Sequence, residues 1–203
     1  MNNSFETWFI ALSLCYSAIV ITIVAFQWVL VEILTVFLIG PLILLMYLGL
    51  LLLIIISFIA LLFRIRKNRK WASLPLLINV GALLIITFVP FTSMWLDWQF
   101  NSNWQEYNEV IQLIENGEIQ PNENGAIRLP PKYRHLSKGG GWIEVEKKEG
   151  VTRVFFYTFV GVLDNFSGFM YSSDNTPPKR GDLGGDWKQI EQQRPNWFFC
   201  ASS

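Results

Sequence analysis

Residues 8–63 form an apolar stretch of 56 residues whose only charge is Glu32. A single helix of that length would rise about 84 Å at 1.5 Å per residue. The hydrocarbon core of a bilayer is only about 30 Å thick. The stretch must therefore fold back on itself, and a chain that carries it calls for a membrane. A second uncharged stretch, residues 71–96, again exceeds the roughly 20 residues that cross a bilayer. Hydrophobic residues make up 52% of the 203-residue chain and charged residues only 16%, where a soluble domain is about a quarter charged. That composition excludes intrinsic disorder. A formal net charge of zero and only 2 Cys exclude a basic nucleic-acid binder and a disulfide scaffold.

Three spans are predicted within a membrane domain of residues 1–96, near 8–29, 41–63 and 74–96. Gly40-Pro41 is taken as the start of the second span, because proline is tolerated at a helix N-terminus. Glu32 is placed outside the hydrocarbon, since a charge at mid-bilayer costs a few kcal/mol. Residues 29–39 are compatible with a loop, an interfacial helix or an extension of either span. Pro75 suits the first turn of the third span, and Pro90 is expected to kink its far end. Asn79 and Gly81 either face neighbouring helices, where polar and small residues aid packing, or, for Asn79, sit at surface depth.

Arg64, Arg66, Lys67, Arg69 and Lys70 place five cations in seven residues with no acid. Short loops rich in Lys and Arg stay in the cytoplasm, and such a loop also suits anionic lipid. Counting outward from loop 64–70, the N-terminus is cytoplasmic, while Glu32 and residues 97–203 are outside. Trp8, Trp28, Trp71, Trp95 and Trp98 fall near the predicted interfaces, where indole rings settle. Met1–Thr7 has Glu6 but no cation, unlike a signal peptide. Leu14 before Cys15 is too large for a lipoprotein cleavage site. The first span is therefore expected to remain an anchor in a cell membrane, plasma or inner.

Residues 97–203 hold 14 acids and 11 Lys or Arg, which again argues against nucleic acid. An amphipathic helix is predicted over 103–116, opened by a Ser102–Gln105 capping box and stopped at Gly117. Its stripe is Trp104, Tyr107, Val110, Ile111, Leu113 and Ile114. A short edge strand is predicted over 126–129. A hairpin then runs from Trp142 through the turn Lys147–Gly150 to Val160, and a third strand from Phe166 to Ser172. Val154–Val160 is apolar on both alternating faces, so the strand should be covered on both sides. The helix would cover one side; the tail, a partner or the membrane surface would cover the other. In the tail, 174–203, Asp186 and Gln189 suggest a short helix ending before Pro195. Trp197–Cys200 would then pack on the free sheet face or dock another protein. The predicted fold class is a multi-pass α-helical anchor of three transmembrane helices plus a small extracytoplasmic α+β domain, with one amphipathic helix on a short antiparallel sheet.

The chemistry is sparse. His135 is the only histidine and has no orienting group near it in sequence, as a catalytic base would need. Only His135 and Cys200 offer imidazole or thiolate ligands in the outer domain, which disfavours zinc. Asp174, Asn175, Asp182 and Asp186 match no calcium loop. Gly139–Gly141 lacks the lysine of a phosphate loop. No metal or cofactor is expected, and Cys15 and Cys200 are too differently placed to pair. Glu144, Glu146 and Glu149 alternate with Lys147 and Lys148 like the solvated face of a hairpin. The candidate binding residues are Tyr133, His135, Asp164, Asn165 and Trp197. Asp164–Gly168 is a possible ligand loop, although its residues also favour turns for local reasons.

The expected function is a non-catalytic binding or interaction module held outside the cytoplasm, as accessory subunit, assembly factor or sensor input. Its partners would be the lipid bilayer and a protein or second copy of the chain. Two alternatives stand beside it. One is a membrane-associated enzyme acting on lipid or envelope material, with His135, Tyr133 and Asp164 as first candidates. The other is an oligomeric channel or transporter subunit, although its three spans hold almost no ionisable groups and Glu32 is the only candidate for a polar pathway.

Overall fold

The computed structural model describes residues 3–64, 69–161 and 165–202. The chain divides into two compact units, Met1–Asp97 and Trp98–Ser203.

The first unit is helical. α1 (Asn3–Ala25) is followed by α2 (Gln27–Arg64), α3 (Arg69–Phe88) and the start of α4 (Phe91–Ser102). Two stretches are long and apolar enough to cross a membrane, Thr7–Ala25 and Phe37–Phe63. A third is a bent pair, Ser73–Phe88 with Phe91–Ser102, which turns by 53°. The bend falls at Val89-Pro90, where proline removes a backbone donor and clashes with the preceding turn.

α2 corrects the reading of 29–41. Residues 27–34 are helical, and the break falls at Thr35 (φ 64°, ψ 158°), not at Gly40-Pro41. The apolar helix resumes after Thr35, and Pro41 lies inside it. Exposed apolar side chains cover the outside of this unit: Phe37, Phe63 and Phe88 are each at least 74% exposed. An apolar surface so extensive is untenable in water.

Inside the unit, Val20, Val24, Leu50, Ala82 and Ile86 form an apolar core. Beside it lies a polar hub. Asn79 is fully buried; its amide nitrogen donates to Ser13 Oγ (3.3 Å) and Ser57 Oγ (3.1 Å), and its amide oxygen accepts from Ser17 Oγ (3.2 Å). One side chain on α3 thus links α1 and α2, which settles Asn79 as a packing residue rather than one at surface depth. Trp28 Nε1 also donates to Thr92 Oγ1 at 3.0 Å, tying the start of α2 to α4.

The second unit is an antiparallel sheet of six strands in the order β1-β2-β3-β4-β6-β5. The strands are β1 (Ala126–Arg128), β2 (Trp142–Lys148), β3 (Val151–Val160), β4 (Phe166–Ser172), β5 (Trp187–Arg194) and β6 (Trp197–Ser202). β2 and β3 meet at Glu149-Gly150, both with positive φ (54° and 80°), as a two-residue hairpin turn requires. α5 (Trp104–Glu115) lies on one sheet face through Tyr107, Val110, Ile111 and Ile114. Tyr107 meets Phe156, Phe169 and Trp197 with ring centroids 5.0–5.8 Å apart. The expected capping box is absent. α4 continues through Ser102, and Asn103 takes the cap position without a side-chain cap bond, its Nδ2 donating back to Gln99 O instead.

The tail is the largest departure from the sequence reading. Residues 187–194 form an edge strand, not a helix, and Trp197–Cys200 belongs to β6, an interior strand between β4 and β5. Apart from Trp187 and Ile190, strand β5 is polar, so no hydrophobic alternation announces it; its backbone bonds to β6 decide its conformation. The turn Pro195-Asn196 (Asn196 φ 69°) has proline and asparagine where a type II turn wants them. The second face of β3 is covered from within the chain: Leu183 and Trp187 pack on Phe155, Met170, Phe198 and Cys200.

Candidate functional site

β3 has two covered faces, and that is what creates the cavity. The 181–185 turn crosses the sheet face opposite α5 without sealing it. A cavity of about 500 Å³ remains, bounded by β2, β3, Phe166, the Asn124-Gly125 turn and Leu183-Gly184. This volume falls within the usual range for small-molecule sites. At its rim Leu183 has φ 49°, a left-handed conformation that is uncommon for a non-glycine residue.

Strand alternation sets the floor. Ile143 and Val145 point to the α5 face and are buried, so Glu144 and Glu146 point the other way, into the cavity. Glu144 pairs in register with Phe155, and Glu146 with Arg153. Tyr157 stands on the same face of β3. Its hydroxyl donates to Glu144 Oε1 at 2.5 Å. Burial, and then the Glu144 carboxylate, push the Tyr157 phenol well above its ordinary range, so it stays a neutral donor. Ser137 positions this residue from below: its Oγ accepts the Tyr157 backbone N–H (2.9 Å) and donates to Trp142 O (2.5 Å), bridging the strands beside the β3 bulge. Phe166 closes the wall, 5.7 Å from the Tyr157 ring at 62°.

Glu146 Oε2 is buried and has no hydrogen-bond partner among the described residues. Arg153, across the ladder, is 8% exposed and turned toward Asp182, its Nε 3.5 Å from Oδ2, at ion-pair distance but without hydrogen-bond geometry. Its Nη2 donates to Thr176 Oγ1 at 3.4 Å. The cavity thus holds two carboxylates, one phenol and an aromatic wall.

The sequence-predicted candidates do not converge. Tyr133 and His135 sit on the 3-10 segment Pro131–Leu136 against α5. Tyr133 Oη donates to Glu109 Oε2 at 2.8 Å, and Lys132 Nζ joins the same oxygen at 2.8 Å. The bonds from Lys132 and then Tyr133 hold the Glu109 carboxyl below its usual range. His135 Nε2 lies 3.0 Å from Glu106 Oε2, one helical turn away on α5. The histidine therefore does have a carboxylate beside it, supplied by spatial rather than sequence proximity. These contacts clamp the segment to the helix. Trp197 is 1% exposed, in the aromatic core. Asn165 is exposed before β4, its carbonyl accepting Gly161 N–H at 2.8 Å. Asp164 lies outside the described residues, as do Arg66 and Lys67 of the basic loop. Glu144 and Glu146, taken in the sequence as solvated hairpin residues, instead line the cavity. The missed signal is the doubly apolar β3: acids opposite a strand covered on both faces must themselves lie under a cover.

Among the described residues no three His, Cys, Asp or Glu side chains converge as a metal centre requires. Compared with known protein families, curated proteins and solved structures, the chain matches none.

Proposed function

We propose that this is a multi-pass membrane protein that displays its α+β domain outside the cytoplasm as a non-catalytic ligand-binding module, in the manner of an accessory subunit or sensor input. The observation that carries the reading is the cavity of about 500 Å³ between the sheet and the 181–185 turn. Three apolar spans supply the anchor, and the cations at 64–70 supply the orientation.

The test is ligand-observed NMR on the full chain in detergent with a mixture of small polar and aromatic compounds. Binding by the wild type, lost when Asn124→Trp fills the cavity mouth, supports the module. No binder at all, or binders unaffected by Asn124→Trp, contradicts it. A second reading, an enzyme acting on lipid or envelope material, draws on the His135–Glu106 pair at 3.0 Å. Against it, the neighbouring Tyr133 hydroxyl is committed to Glu109. An unchanged cellular phenotype for His135→Ala counts against the enzyme.

A further inference from the structure

Glu144 and Glu146 reach one cavity from alternate positions of β2, and among the described residues no lysine or arginine lines it. The cation across the strand from Glu146, Arg153, lies beside a carboxylate of its own, Asp182. The cavity therefore keeps an uncompensated negative charge. Its wall is aromatic, with Tyr157 and Phe166 set edge to face. Glu146 Oε2 adds a buried acceptor without a partner among the described residues, a feature that in a native protein calls for an explanation.

Resting on the ligand-binding reading above, we infer that the cavity takes a small organic cation, a primary ammonium, with its charge at Glu144 and Glu146 and its apolar body against Tyr157 and Phe166. A carboxylate and an ammonium form a charge-assisted hydrogen bond, stronger than a neutral one. An aromatic face adds cation–π attraction. Together these favour the organic cation over two simpler occupants. An anion meets two like charges. A bare divalent ion needs six or more oxygens and gains nothing from the aromatic wall.

The test uses three probes of one size and three charges: benzylammonium, benzyl alcohol and benzoate, titrated by NMR into the full chain in uncharged detergent. Benzylammonium is expected to bind at least about tenfold more tightly than benzyl alcohol, and benzoate more weakly than either. Glu144→Gln and Glu146→Gln should each weaken benzylammonium roughly tenfold, the loss expected of one charged hydrogen bond, and weaken benzyl alcohol by clearly less. Retained benzyl alcohol binding shows that the variants are folded. Raising sodium chloride from about 20 to about 500 mM should weaken wild-type benzylammonium binding several-fold, a readout that needs no variant. Equal affinity for all three probes overturns the cation assignment and leaves a binding cavity. Calcium chloride competing with benzylammonium at micromolar concentration overturns it in favour of an inorganic ion site. Silence from every probe removes the ligand-binding reading as well.

Discussion

Replacing Asn79 removes a side chain that bonds to both α1 and α2 inside the helical unit. Three hydrogen bonds are lost, two donated and one accepted, at 3.1–3.3 Å. In membrane helices such bonds average about 0.6 kcal/mol and reach about 1.7, so the three sum to about 2 kcal/mol. The serines left behind can turn their hydroxyls to carbonyls one turn back in their own helices, which keeps the loss near this figure instead of at the full desolvation cost. Asn79→Leu is therefore expected to destabilise the unit by about 2 kcal/mol, measured by unfolding in mixed micelles with increasing SDS. A double-mutant cycle isolates the bond to Ser57: Asn79→Leu with Ser57→Ala should show a coupling of about 0.6 kcal/mol. Thr87→Ala, whose hydroxyl bonds only to Leu83 O on an exposed surface, serves as control and should fall within about 0.5 kcal/mol of wild type. A coupling indistinguishable from zero, or a stability for Asn79→Leu equal to that of Thr87→Ala, refutes the hub.

Three further outcomes follow from the sheet unit. Trp197→Ala should cost about 3–5 kcal/mol in thermal or denaturant unfolding, because the ring is 1% exposed and contacts Phe100, Trp104, Tyr107, Phe156 and Tyr171. Gly168→Ala should destabilise by about 1–3 kcal/mol, since a Cβ there would stand 2.1 Å from Phe156 O and 2.6 Å from the Phe155 ring; a neutral effect on unfolding would show that β3 and β4 are not so closely apposed. Bonds from Thr176 and then Ser172 hold the Asp174 carboxyl at about 2, below its value in an unfolded chain. Its contribution to stability is thus fully present above about pH 4 and fades as pH falls toward 2. An NMR titration of Asp174 should show that low midpoint, and Thr176→Ala should raise it.

The sequence makes the helical half legible because its signals are long. A 56-residue apolar stretch must break, and Pro90 marks the bend of 53°. The break at Thr35 was hidden by Gly40-Pro41, a stronger signal of the same kind six residues on. The α5 stripe was readable from its periodicity, and the first four strands from their apolar runs and the turns between them. β5 was not, because an exposed polar edge strand has no apolar period and is fixed by its bonds to β6. The cavity was only half visible. Two-sided coverage of β3 was evident and the tail was one of the covers offered for it; that the tail's 181–187 segment supplies it and leaves a cavity depends on contacts remote in sequence. For the same reason the carboxylate at His135 escaped notice, since Glu106 lies 29 positions earlier.

The orientation of the chain is the claim on which the proposed function rests, and it follows from Arg64, Arg66, Lys67, Arg69 and Lys70. The direct measurement is a pair of fusions after Ser203, one to alkaline phosphatase and one to green fluorescent protein, in living bacterial cells. The account predicts phosphatase activity and a dark fluorescent fusion. It also predicts that changing these five residues to glutamine weakens the phosphatase signal. Fluorescence without phosphatase activity would place the sheet domain in the cytoplasm and contradict the account.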